Sequence, residues 1–398
     1  MDRANMIQRL GQFNMRNIGI CRRNMSRVAH DPAAEEDLKP WVPAPKGIAA
    51  CKLHKNSNEE MGQFNFEFNG ASFQKALEKS RATDKPVLLI FQEMLGSPES
   101  IAFGKTVLSQ PLLIEAAESL FITVIVNIAG TTHGDAQILY RYQDNCHYDT
   151  VVRIVNEKGQ DLVGKLEDSR CSVGNIAKAM VEVLERKELK IPNYLRVLER
   201  EYIARVEVPS HVLRAKAKNL VFGTEDATKA EIAFTELNGV IGVECGKLSG
   251  CNVVKVTYNA DVVSCRTVFL HAVFHVEVEM VYWTDTEQKM SLQPELQKLE
   301  VAQSLYEFDS SRLVPGRNPK QFLRTTLFRY VPLTTLQSML ANLAISKNLP
   351  EDANNVLSPR QLAILEAVEI KSPRKETVDV AIAEAWNRLE RDGVYDWN

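Results

Sequence analysis

The stretch PVLLIFQEMLGSPES, Pro86 to Ser100, decides the fold of the first half of the chain. Its apolar residues run together from Val87 to Phe91 instead of alternating, the pattern of a strand covered on both faces. Ser97-Pro98 then reads as a helix start, because serine accepts a first-turn N–H and proline suits the first helical position. On the N-terminal side, Ser72 is expected to cap a helix with Phe73, Ala76 and Leu77 on one face, stopped by Asp84-Lys85-Pro86. On the C-terminal side the spacing predicts a helix through Ile114–Leu120, a strand FITVIVN, a short helix DAQILYRYQ and a strand TVVRIVN. The turn Glu157-Lys158-Gly159-Gln160, a short strand DLVGKL and a helix SVGNIAKAMVEVLERK complete the series. Alternation of this kind favours an α/β layer structure with a largely parallel sheet.

That order of elements resembles the thioredoxin-like fold over residues 46–188. The family's redox pair sits just after the first long buried strand, where a helix N-terminus lowers the pKa of the first thiol. Here the place reads Gly96-Ser97-Pro98-Glu99-Ser100, with Ser97 and Ser100 at the C-x-x-C spacing. A serine hydroxyl forms no disulfide, so no dithiol exchange is expected there. Asp149-Thr150 stands where the family places a cis-proline. Ser97 is read as a helix cap.

Residues 189–215 are helical, charged and broken by Pro192 and Pro209, and are read as a linker. A second pattern follows. AKNLVFG is strand-like, ATKAEIAFTELNG is a helix ended by Asn238-Gly239, and VIGVEC and NVVKVTY are strands. A helix DVVSCRTVFLHAVF, with Asp261 as its expected cap, leads to the alternating strand VEVEMVYW. The arrangement is β-α-β-β-α-β, the split βαβ plan.

Three phrases in this region, ATKAEIAFTELNGVIGVECG, NVVKVTYNADVVS and MVYWTDTEQK, are similar in order and type to those of the peptide-methionine (S)-S-oxide reductases. The resemblance implies a reductase-like domain over 216–300. It also implies a nucleophilic cysteine five residues before a helical glutamate. Counting back from Glu231 reaches Asp226, a carboxylate that cannot take the oxidised sulfenic state. The family's acid corresponds to Asn252, whose amide cannot deliver a proton as a general acid. Its His-Asp-Pro and Gln-Tyr-Arg-Ser segment is missing or shortened between Phe274 and Met280. The expectation is a non-catalytic protein of thiol-redox ancestry, binding Met-containing or oxidised peptides through degenerate clefts. The alternative is an active reductase using a displaced thiol, with Cys251 and Cys265 the candidates.

Other features are weaker. His271 and His275 stand at i,i+4 on a helix, but no glutamate lies between them as in H-E-x-x-H and no third ligand accompanies them, so no metal and no cofactor is expected. Glu225, Asp226 and Glu231 form an acidic group that also suits a helix start. The chain has 398 residues, a net charge of −3 and seven cysteines, none in a C-x-x-C spacing. That charge gives no footprint for nucleic acid, and the scattered thiols argue against a secreted disulfide framework. No apolar run is long enough to span a membrane.

Residues 301–398 hold amphipathic segments: VPLTTLQSMLANLAISKN, LSPRQLAILEAVEI and KETVDVAIAEAWNRLERDG. They are expected to clasp the reductase-like unit or the cleft between the domains, with Tyr395 and Trp397 docking back. Residues 1–45 form a leader with six arginines and one acid before residue 28. This is the composition of an organellar presequence and equally of a basic arm without an address. The chain is expected to be intracellular, mitochondrial if the leader is a presequence and cytoplasmic otherwise. The partner, the ligand and the oligomeric state are not encoded in any motif.

Overall fold

A computed structural model describes residues 62–94, 97–129, 132–142, 150–167, 170–205, 216–298, 304–316, 320–371 and 375–394. The leader, Asp149, Tyr395, Trp397 and Cys21, Cys51 and Cys146 lie outside them. The chain is mixed α/β, with two sheets and a helical C-terminal region.

The first layer runs β1 (Phe68–Asn69), α1 (Phe73–Thr83), β2 (Val87–Gln92), α2 (Pro98–Thr106), α3 (Pro111–Leu120), β3 (Ile122–Asn127), α4 (His133–Tyr142), β4 (Val151–Val155), β5 (Leu166–Glu167), α5 (Val173–Arg186) and α6 (Asn193–Ala204). Its strand order is β1-β3-β2-β4-β5, with β1, β3 and β2 parallel and β4 and β5 antiparallel to their neighbours. This layout fits the thioredoxin-like expectation for the sheet. β2 shows why its apolar residues are continuous. Leu88 and Ile90 enter the core beneath α3, α5 and α6, whereas Val87, Leu89 and Phe91 enter a second core beneath α1 and α4. Each such side chain contributes about 1.5–3 kcal/mol by leaving water.

Two local expectations are corrected here. Ser72 stands at the N-cap position of α1 but makes no side-chain capping bond there; it is also the third residue of a 3-10 turn capped by Asn69, whose Oδ1 accepts from Ser72 N at 3.2 Å. In DLVGKL only Leu166 belongs to a strand, because Asp161 closes the preceding turn as an isolated bridge to Val155.

The second layer runs β6 (Ala217–Thr224), α7 (Ala227–Glu236), β7 (Val240–Leu248), β8 (Cys251–Asn259), α8 (Cys265–His275), β9 (Val278–Trp283), α9 (Thr286–Lys298), β10 (Ser304–Glu307) and β11 (Leu313–Pro315). The strand order is β10-β9-β6-β8-β7-β11, and every neighbouring pair is antiparallel except β10 with β9. β8 is inserted between β6 and β7, and β6 between β8 and β9, which is the split βαβ plan expected from the sequence. Gly239 ends α7 at φ +96°, where a Cβ would press on the Val263 side chain. The cap of α8 is Ser264 rather than Asp261: Ser264 Oγ accepts from Thr267 N at 3.1 Å, whereas Asp261 sits in the preceding turn and pairs with Lys216. The Glu-Gln-Lys phrase after β9 opens α9.

The C-terminal region holds α10 (Gln321–Arg324), α11 (Thr335–Ser346), α12 (Pro350–Asn355), α13 (Pro359–Ile370) and α14 (Ile382–Arg391). Its apolar faces largely complete the first layer. Leu323, Leu336, Ile364, Trp386 and Leu389 share one core with Leu112 of α3, Ile176 of α5 and Leu195 of α6. Met339, one turn along α11 from Leu336, enters the second layer's core instead. α11 is therefore a wedge between the layers. Among the described residues, no helix is long and apolar enough to cross a membrane.

Candidate functional site

At the first vacated thiol position, Ser97 is extended and its Oγ accepts from Ser100 N at 3.2 Å, with Pro98 next and Glu99 in the first turn. Ser100 is buried, and its carbonyl accepts from Gln92 Nε2 at 2.9 Å. A polar network continues along the strand ends: Met94 N donates to Asn127 Oδ1 at 3.3 Å, and Asp135 accepts from Asn127 N and from Thr132 Oγ1. Burial raises the Asp135 carboxyl above the usual range. Thr150, at the family's cis-proline position, accepts from the buried Cys171 thiol at 3.3 Å. The hydroxyl of Ser97 does the ordinary work of a cap. Ser97→Ala is expected to lower stability by about 1 kcal/mol in urea unfolding, the usual value of a lost N-cap.

The second vacated position is also a cap. Asp226 Oδ1 accepts from both Thr228 N and Lys229 N at 2.9 Å, so the carboxylate is committed to the first turn of α7. Asn252 Nδ2 donates to the Glu225 carbonyl at 3.3 Å and steadies the approach to that turn. Glu231 lies one turn further along α7 and is 1% exposed. Its Oε2 accepts from Lys320 N at 3.0 Å, and its Oε1 lies 3.9 Å from Lys320 Nζ. Lys320, itself buried, also reaches Asp379 at 3.2 Å, and Arg324 pairs with Asp379 at 2.8 Å and with Glu376. Burial raises the Glu231 carboxyl, against the opposing pull of Lys320. The acid meets the C-terminal region, not an open cleft.

Register decides which thiol neighbours Asp226. β6 ends beside α7's N-terminus, and its Gly223 pairs with Val253. Cys265 begins α8 beyond the far end of β8, where Tyr258 pairs with Lys218. Cys251 is at the near end, but alternation puts it with Val253 on the sheet face opposite the helices. Cys245 of β7 faces the helices, and its thiol donates to the carbonyl of Ala227 at 3.5 Å. Burial, and next to it the Glu231 carboxylate, push that thiol up to about 12. Cys245, Lys320 and Asp379 are thus the site residues that the sequence motifs did not single out. Period-two alternation along β7 would have placed Cys245; nothing local would have placed the other two.

His271 and His275 lie with ring centroids 4.5 Å apart, and His271 Nε2 is 2.8 Å from the Ala233 carbonyl. Among the described residues, no group of three His, Cys, Asp or Glu side chains converges as a metal site would require. Beside α7's first turn, Glu225, Lys229, Phe274, His275, Glu277 and Glu279 line a groove of about 500 Å³. Phe274 projects there largely exposed, and Lys229 is paired with Glu277 at 3.1 Å.

No protein-family model and no curated protein matches the chain. Among solved structures, the DsbH oxidoreductase is similar over 35% of this chain and 95% of its own, at 15% identity and a TM-score of 0.23. MupZ from Pseudomonas fluorescens is similar over 26% of this chain and 93% of its own, at 10% identity and a TM-score of 0.17.

Proposed function

We propose that this chain is a non-catalytic binding protein of thiol-redox ancestry, joining a thioredoxin-like layer to a methionine sulfoxide reductase-like layer. One observation carries the reading: at both positions where these folds would hold a nucleophilic thiol, the side chain present is a helix cap engaged with its own first turn. A thiolate is the reactive species in either chemistry, and the thiol beside Asp226 is held protonated by burial. The groove flanked by Phe274 and the acids Glu225, Glu277 and Glu279 offers an apolar contact within a negative rim. It suits a peptide carrying methionine, or oxidised methionine, next to basic residues.

The test pairs a loss with a gain. The purified chain is expected to reduce neither a methionine sulfoxide peptide nor insulin in the presence of dithiothreitol. The Ser97→Cys/Ser100→Cys variant is expected to gain insulin reduction, because α2's N-terminus would lower the first thiol's pKa. Catalytic turnover of the sulfoxide by the unmodified chain would overturn the proposal and direct attention to a displaced thiol.

A further inference from the structure

The connection from β10 to β11 crosses the face of the second sheet opposite its helices. β10 and β11 are the two edges of that sheet, and Phe308 and Leu313, at the ends of the connection, pack with Val221, Leu248 and Val253 on that face. Two local devices hold the crossing. Asp309 Oδ1 accepts from Ser311 N at 3.0 Å and from Ser311 Oγ at 2.6 Å, which caps a 3-10 turn, Ser310–Arg312. Arg312 Nη2 then donates to Ser249 Oγ at 2.7 Å, at the tip of the β7–β8 hairpin. That tip is the two-residue turn Ser249-Gly250, both at positive φ, the type that joins antiparallel strands tightly. Between the crossing, the tip and the strands lies a pocket of about 280 Å³. Its floor is aromatic. β9 and β10 are parallel with Tyr282 directly opposite Tyr306, so both rings stand on one face, their centroids 5.6 Å apart. Met280, two residues earlier on the same face, accepts from Tyr282 Oη through its sulfur at 3.4 Å. The rim sets the exposed carboxylates of Glu307 and Asp309 against the single guanidinium of Arg312.

We propose that this pocket binds a quaternary ammonium group, free or carried on a trimethylated lysine side chain. The faces of tyrosine rings are negative and attract a cation lying within about 6 Å of the ring centroid. Elsewhere in the chain, cationic side chains sit over Tyr142, Trp283 and Tyr330, but among the described residues none sits over Tyr282 or Tyr306. Arg312 does not supply that cation, because it is engaged by Ser249. The two rim carboxylates outnumber it, which selects a positive ligand over a negative one. Methylation is favoured by the floor. A plain ammonium is compact and strongly hydrated, and Tyr282, Tyr306, Met280 and Leu248 offer little to replace its water. Methyl groups instead are covered by the same surfaces. Size points the same way: drug-sized ligands fill roughly 300–1,000 Å³, so this pocket takes one small head group. The site shares no lining residue with the groove beside α7, and it holds whether or not the chain is catalytic.

The test is calorimetric titration of the full-length chain with choline and with a short peptide bearing trimethyl-lysine. Each is compared with its neutral isostere, in which carbon replaces the nitrogen. The cation is expected to bind about tenfold more tightly than the isostere of the same shape, and the tighter of the two cations identifies the source. Tyr306→Leu keeps an apolar side chain but removes the ring; it is expected to weaken the cation about tenfold and leave the isostere within about twofold. A merely structural role would move both. Tyr306 is 45% exposed, so the variant is expected to keep the urea midpoint of the unmodified chain. Glu307→Gln, on the rim, is expected to weaken the cation about threefold and flatten its dependence on salt. Failure of both cations to bind up to about 10 mM, an isostere that binds as tightly as its cation, or cation affinity unchanged in Tyr306→Leu would each overturn the proposal.

Discussion

Replacing Lys320 with methionine is expected to cost about 3–5 kcal/mol in urea unfolding at about pH 8, the usual penalty for removing one member of a buried ion pair. The reason lies in what remains. Glu231 would stay almost wholly buried without the ammonium that lies 3.9 Å from its Oε1, and Asp379 would lose its 3.2 Å contact with Lys320 while keeping Arg324. The loss should shrink in acid, because Glu231 is already raised and escapes the penalty by taking up a proton. A second substitution, Glu231→Gln, should restore most of the stability at about pH 8 by removing the uncompensated charge while keeping the acceptor for Lys320 N. A Lys320→Met chain that unfolds like the unmodified one at about pH 8, or a double variant weaker than the single, would show that the pair does not hold this contact.

The strands and caps could be read from local chemistry. The continuous run Val87–Phe91 means two covered faces, and the structure divides its side chains between two cores. Alternation in NVVKVTY placed Val254, Val256 and Tyr258 in the helix-covered core of the second layer. Ser97 was legible as a cap, and Asp226 as an acid suited to a helix start, because both bond within three residues of themselves. What escaped reading is long-range. Glu115, Glu201 and Glu231 look like ordinary helix acids, yet their backbone partners lie 245, 135 and 89 residues away. Nor does the stripe on α11 reveal that Leu336 and Met339 serve different cores, since both are simply apolar at helical spacing. Asp261 competed with Ser264 for one cap. Ser264 holds it because its oxygen stands three residues before the N–H of Thr267.

The largest effect is expected from ending the chain after Gly316. The C-terminal helices carry Leu336, Ile364, Trp386 and Leu389 into the same cluster as Leu112, Ile176 and Leu195, so the first layer has no closed core without them. Filling a core with one fewer Leu, Ile or Trp costs about 2–5 kcal/mol, and removing several together exceeds the 5–15 kcal/mol by which domains are ordinarily stable. Glu115 and Glu201 would also lose the amides that α13 and α11 donate to them. The shortened chain is therefore expected to lose near-ultraviolet dichroism and to bind a hydrophobic dye, as expanded states with fluctuating packing do. Trp386→Ala in the full chain grades the same effect, at about 3–5 kcal/mol in urea unfolding. A truncated chain that keeps fixed side-chain packing and unfolds cooperatively would make the C-terminal helices an appendage. In that case the shared apolar cluster would be a contact between independently stable bodies, and the wedge role assigned to α11 would fail with it.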